Sequence, residues 1–132
     1  MKYLIDSNVI LDVLTNRDPF YDSSRKAFEL ALKQKIEAYI ASSSLPALYY
    51  LLHKYYHSSD ICKQIILKLF EFFNVVDVDG NDCAKAIASI IPDYEDAIIH
   101  ETAIRHSMDY IVTRDKKHFK DSIVRVIDPS EL

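Results

Sequence analysis

The sequence holds a single glycine, Gly80, no tryptophan, two cysteines and four prolines in 132 residues. With so little glycine, few turns should use a positive φ and most helices should end without a glycine cap. Two-residue hairpins built on Asn-Gly or Gly-X pairs are disfavoured, so helices should dominate. Cys62 and Cys83 form no metal-ligand spacing and no disulfide framework, and read as buried reduced thiols of a cytosolic protein. No apolar run reaches the roughly 18 residues of a membrane span. Met1 is followed at once by a short apolar run with no basic leader, so cytoplasmic residence without membrane contact is the expectation. An excess of positive charge is also missing. The net charge of −4 excludes a general nucleic-acid coat protein. It leaves room for an enzyme that acts on RNA with acids in its site and a local basic rim.

What is present fits one compact domain over residues 1–132, 49% hydrophobic, with no repeat, low-complexity tract or linker. Apolar runs at 3–5, 38–41, 75–78, 110–112 and 123–127 read as strands. Between them stand segments of helical periodicity. Asp6-Ser7-Asn8 caps the first, and Asn16 to Asp22 is a loop. Ser23 or Ser24 caps the second, Ser42-Ser43-Ser44 the third and Ser58-Ser59-Asp60 the fourth. Asn81-Asp82 opens a helix to about Ile91, and Pro92-Asp93 opens one to about Met108. Short strands, apolar on both faces and alternating with helices, mean a parallel sheet covered on each side. The predicted class is α/β, a three-layer α/β/α architecture with a central parallel sheet of about five strands.

In such sheets the cleft lies beyond the carboxyl ends of the strands. Asp6 ends the first strand and Asp115 follows the fourth. Asp93 and Asp96 share one face at the start of the helix after Pro92. Gathered carboxylates raise one another's pKa, and a hard divalent cation such as Mg²⁺ or Mn²⁺ removes that cost. Each acid also has a bland reading. Asp6 could cap a helix, Asp93 and Asp96 could complement a helix dipole, and Asp115 could cap the turn Lys116 to Phe119. Three such coincidences in this strand order are less economical than one shared site. His100, four residues after Asp96, reads as a ligand, a general base or a partly buried histidine. His118 stands nearer the cleft as a substrate contact, while His53 and His57 read as packing. Arg114, Lys116 and Lys117 flank Asp115 and Arg17 follows the first helix; they read as phosphate contacts or as solvated surface. Tyr49, Tyr50, Tyr55 and Tyr56 read as core or a dimer face rather than a base-stacking platform.

Three segments, Tyr3-Leu4-Ile5-Asp6-Ser7-Asn8, Asp93-Tyr94-Glu95-Asp96-Ala97 and Tyr110-Ile111-Val112-Thr113-Arg114-Asp115 with Phe119, resemble the ordered motifs of PIN domains. The likeness runs the full chain and is greatest to small bacterial proteins of the VapC toxin type. It implies a PIN-like fold and a divalent-metal site, Mg²⁺ or Mn²⁺, in an acidic cleft. Endonucleolytic cleavage of single-stranded RNA, often a homodimer and often a partner antitoxin are implied as well. By position, Asp6, Asp96 and Asp115 would be the catalytic and metal-site acids, supported by hydrogen bonds from Asn8 and Thr113. The family usually has a glutamate early in the helix after the second strand. Here Ala47 occupies that place, and no acid occurs between Glu37 and Asp60. Asp93 is expected to substitute for it in part.

That departure keeps a second reading open: a PIN fold that binds RNA or a protein partner without useful catalysis. A phospho-accepting receiver domain would want adjacent acids after the first strand and a lysine ending the fifth, and the chain has Asp6-Ser7 and Ile127-Asp128 instead. A phosphohydrolase with an aspartyl nucleophile would want a second aspartate where Asn8 stands.

Overall fold

The computed structural model describes residues 1–132. The elements run β1 (Lys2–Ile5), α1 (Ser7–Leu14), α2 (Tyr21–Leu32), β2 (Glu37–Ala41), α3 (Ser44–Tyr56), α4 (Ser59–Phe72), β3 (Asn74–Val76), α5 (Gly80–Ile87), α6 (Tyr94–Arg105), β4 (Tyr110–Val112) and β5 (Arg125–Ile127). A 3₁₀ turn, Lys116–Phe119, joins the last two strands. All pairings are parallel, in the order β3-β2-β1-β4-β5.

Alternate strand residues feed two cores. Ile5, Ile40 and Val112 pack on one face against Ile10, Phe28, Leu48, Leu52 and Leu69, carried by α1 to α4. Leu4, Ala41 and Ile111 pack on the other against Ala86, Ala97, Ala103 and Phe119. Strands buried on both faces cannot alternate polar and apolar residues, which is why they read as continuous apolar runs. The chain winds from β1 outward to β3 under α1–α4, then crosses back beyond β1 to β4 under α5 and α6. Strand order therefore reverses between β1 and β4. No helix is long and apolar enough to cross a membrane.

Several local expectations are corrected. Helix α2 begins at Tyr21 with no side-chain cap, and Ser24 lies fully buried inside it, donating to Asp12 Oδ2 at 2.9 Å. A buried carboxylate needs donors, and that demand outweighs a capping role for the serine. Ser43 precedes α3 without a capping hydrogen bond, and Ser42 Oγ instead accepts from Val78 N at 3.1 Å. Ser58 does cap α4, accepting from Ile61 N at 3.2 Å. Helix α5 starts earlier than predicted, because Asp79 and Asp82 form a reciprocal capping box around it. It ends at Ile87, and α6 ends at Arg105. Positive φ is also less rare than the glycine count suggested. Asn16, Gln34, His57, Ser107 and Asp121 adopt it, while Gly80 does not. Asn and Asp tolerate the left-handed region, and His57 uses it to terminate α3.

Candidate active site

Asp6 follows β1 at the point where strand order reverses, the place where open parallel sheets leave a crevice. Its carboxylate caps α1, accepting from Ser7 N at 2.8 Å through Oδ1, and accepts from Thr113 Oγ1 at 2.9 Å through Oδ2. Capping and site membership thus coexist in one side chain. Only 7% of Asp6 is exposed, and burial raises its carboxyl above the ordinary 3.8. The bonds from Thr113 and Ser7 work against that rise, and the charge of Asp115 adds to it.

Asp115 enters from the neighbouring strand end. Its carboxylate accepts from Asn8 Nδ2 at 3.2 Å, and Asn8 Nδ2 also lies 3.1 Å from Thr113 Oγ1. It makes no side-chain cap to the turn at Lys116–Phe119. Asn8 and Thr113 thus hydrogen-bond the carboxylates of Asp115 and Asp6 respectively.

Asp96 comes from the first turn of α6, on the opposite wall. Burial first, then the charges of Asp6 and Asp93, push its carboxyl up to about 7; His118 lowers it and Asp115 raises it again. His118 Nδ1 lies 3.5 Å from Asp96 Oδ2 and 4.0 Å from Asp115 Oδ2, bridging the two. The charges of Asp6 and Asp115 both reach Asp96, so the three carboxylates stand close enough to act on one another's surroundings.

A cleft of about 330 Å³ opens beside Asp6 and Asp96, walled by Ser43, Ser44 and Ala47 of one side and Tyr94, Glu95 and Ile99 of the other. Ala47, the residue at the sequence position expected of a glutamate, lines this cleft. Asp93 does not line this cleft. It caps α6, accepting from Asp96 N at 3.0 Å, and acts on Asp96 through its charge. Glu95, which the sequence reading passed over, does line it. Its acidic type and place beside Asp96 were visible, but only the docked helix puts it, still exposed, on the cleft wall.

The donor set is all oxygen with excess negative charge, which fits a hard cation such as Mg²⁺ or Mn²⁺. No three His, Cys, Asp or Glu side chains close into a ready cage. The fit is therefore to an ion that keeps several waters, held by a few carboxylates.

The remaining candidates separate by surroundings. Arg114 turns its guanidinium away from the cleft onto Asp12, at 2.6 and 3.1 Å, and stacks on Phe20 at 3.9 Å. Arg17 reaches the same carboxylate at 3.9 Å. Lys116 pairs with Glu131 at 3.2 Å on the surface, and Lys117 is exposed beside it. Arg114, Asp115, Lys116 and Lys117 line a second hollow of about 400 Å³ with Phe20 and Asp128. His100 is buried, its Nε2 accepting from Ile123 N at 3.2 Å, and burial lowers its pKa. It belongs to the core face of α6. Tyr56 bonds its hydroxyl to the Leu14 carbonyl, while Tyr50 and Tyr55 stay exposed.

Known proteins can now be set beside this geometry. A search of curated sequences gave no significant match. Among solved structures, VapBC2 from Rickettsia felis, bound to a DNA fragment from its promoter, superposes with a TM-score of 0.68 at 23% identity, over 97% of this chain and 98% of that one. A toxin–antitoxin complex from Klebsiella pneumoniae gives 0.70 at 21%, over 96% and 97%. FitAcB from Neisseria gonorrhoeae gives 0.70 at 21%, over 98% and 99%. At these identities the likeness establishes the fold. The profile described as PIN domain matches residues 2–117, taking in β1, the cleft and the Asp115 loop, and by that match the chain belongs to the PIN domain family.

Proposed function

We propose that this protein is a divalent-metal-dependent endoribonuclease that cleaves single-stranded RNA, with Asp6, Asp96 and Asp115 holding the metal. The observation that carries the reading is electrostatic. Asp6, Asp96 and Asp115 come from three separate elements; burial and the charge of Asp115 raise the carboxyls of Asp6 and Asp96, the charge of Asp6 raises Asp96 further, and no arginine or lysine lines the cleft beside Asp6 and Asp96. Such an arrangement suits a fold that expects a cation.

A Mg²⁺ or Mn²⁺ bound there would supply an activated water and offset the charge that builds on the scissile phosphate. The chain's own groups prepare the place. Thr113 and Ser7 N fix both oxygens of Asp6, and Asn8 orients Asp115. His118, about half exposed at the mouth, can hold a proton between Asp96 and Asp115 or meet a substrate phosphate. Lys116 and Lys117 offer a basic rim that positions an RNA backbone without reading its bases. Glu95, rather than Asp93, is the acid suited to make up for Ala47.

The test is direct. Purified protein should cleave an unstructured RNA with Mg²⁺ or Mn²⁺ and stop with chelator. Cleavage that persists in Asp6→Asn would expose a contaminant.

One specific observation favours the second reading, a PIN domain that binds RNA or a protein without useful turnover. The wall that should carry a glutamate carries Ala47. Metal-independent RNA binding with no cleavage in either metal would establish it. The toxin–antitoxin complexes among the structural neighbours support an antitoxin partner and a toxin's role. The exposed Tyr50, Leu51 and Tyr55 on α3 support a homodimer face.

A further inference from the structure

Asp12 has no exposed surface at all, yet nothing in the proposed chemistry uses it. It lies one helical turn after Asn8 on α1, so both side chains face the same way. Together they grip three consecutive residues of the loop after β4. Thr113 Oγ1 accepts from Asn8 Nδ2 at 3.1 Å and donates in turn to Asp6 Oδ2 at 2.9 Å. Arg114 gives its fork to Asp12, Nε to Oδ2 at 2.6 Å and Nη2 to Oδ1 at 3.1 Å. Asp115 receives Asn8 Nδ2 at 3.2 Å. The Arg114 backbone N–H also points at Asn8 Oδ1, at 3.4 Å.

The grip is reinforced from behind. The fully buried Ser24 on α2 donates to Asp12 Oδ2 at 2.9 Å, and Arg17 stands 3.9 Å from Oδ1. Phe20 covers the guanidinium face at 3.9 Å. Only 17% of the Arg114 side chain is exposed. A two-pronged bond between a buried carboxylate and a guanidinium has one good geometry, so it fixes the backbone that carries both ends.

From this geometry we infer that Asp12 is a positioning residue. Through Arg114 it locks the Thr113–Arg114–Asp115 loop so that the Asp115 carboxylate faces Asp6 and Asp96. The inference rests on the metal-site reading above and goes beyond it. Arg114 serves the site from behind rather than touching RNA. Lys116 and Lys117 are left as the basic contacts of that rim, since a phosphate that drew Arg114 away would strand a buried charge.

The test compares wild type, Asp12→Asn and Arg114→Lys in two assays. Mn²⁺ affinity is measured by electron paramagnetic resonance on the metal-free protein, at a temperature where circular dichroism shows each variant folded. Affinity for a labelled unstructured RNA is measured by anisotropy in chelator across a salt series. Arg114→Lys keeps the charge and loses the fork, and it carries the test alone if Asp12→Asn does not fold. The expected result is a drop in Mn²⁺ affinity of about tenfold or more, as for other supports of metal ligands, with the salt dependence of RNA binding unchanged. A further variant, Arg114→Gln, should leave that slope unchanged too. A slope reduced by about 0.7 in Arg114→Gln would mean one lost phosphate contact and would overturn the inference. Folded variants that bind Mn²⁺ as wild type does would overturn it as well, leaving the metal site intact. Wild type that binds no Mn²⁺ would overturn the metal-site reading and this inference together.

Discussion

Two regions of this molecule gather carboxylates, and they solve the resulting repulsion differently. At the end of α6, Asp77, Asp79 and Asp82 surround Arg105 at 3.0, 3.4 and 3.0 Å, and His106 stands 3.3 Å from Asp77. Burial alone would raise the Asp82 carboxyl, but the bonds from Arg105 and from the Asp79 backbone outweigh it and hold the group below 3.8. At the other end of the same helix, Asp96 meets Asp6, Asp93 and Asp115 with no guanidinium among them and is pushed up to about 7. The first cluster is a clamp between α5 and α6. The second keeps its charge unneutralised, at a cost to the metal-free fold. One helix thus separates acids paired within the chain from acids left without a guanidinium, the cluster proposed above as the metal site.

Neutralising the second cluster should have the largest consequence for activity. Asp96→Asn and Asp6→Asn should each lower the initial rate of RNA cleavage by about a hundredfold or more, since an open metal site supplies several kcal/mol to such reactions. The same change at Asp82 should leave the chemistry alone and loosen the fold. Asp82→Asn should cost roughly 2–3 kcal/mol in urea denaturation, because a buried charge-assisted network loses its centre. If Asp82→Asn behaved as Asp6→Asn and Asp96→Asn do in both assays, the distinction between the two clusters would be gone.

The pH response sharpens the contrast further. In the metal-free fold Asp96 keeps its proton to about 7, against 3.8 when free. The folded state binds more protons in that window, so stability should fall as pH rises from about 4 to about 7 and level off above it. Discounted for solvent screening, the loss should be about 1–2 kcal/mol, and Asp96→Asn should reduce it to the part that the raised Asp6 carboxyl contributes. Asp82 runs the other way. Its contribution is complete above its unfolded value of 3.8 and is lost as pH falls through its depressed pKa. Thermal melts from about pH 2 to pH 8, with and without Mg²⁺, would resolve the two. Added Mg²⁺ at 100 times its Kd should restore about 2.7 kcal/mol at pH 8.

The smallest effect belongs to the cleft wall. Glu95→Gln should weaken Mn²⁺ binding by a few-fold, while Asp93→Gln should weaken it less, because only Glu95 lines the cleft. Equal effects in a metal titration would return Asp93 to the role expected from the sequence. Ala47→Glu should strengthen Mn²⁺ binding and lower the melting temperature of the metal-free protein, since it adds one more acid to the same pocket.

Much of this was legible in the residues themselves. Short apolar runs alternating with helical periodicity announced a parallel sheet between helices, and Asp6 and Asp115 stood at strand ends where such sheets place their clefts. The Ser24 cap expectation failed, and the ion pair of Arg114 was invisible, for one shared reason. Both answer to Asp12, whose burial inside an apolar helix stretch carries no mark in its spacing. Glu95 was overlooked because neighbouring acids on a first turn look alike until the helix is docked.

Local order and the identity of the acids were thus written in the sequence, because strand and helix periods depend on neighbours a few residues apart. Which acids are paired and which are left bare was decided only by the fold. The partners lie far apart along the chain: Asp82 and Arg105 by 23 residues, Asp12 and Arg114 by 102, Asp6 and Thr113 by 107. Strand order and crossover hand bring such residues together, and no spacing rule within a segment can encode a neutralising charge that arrives from the other end of the chain.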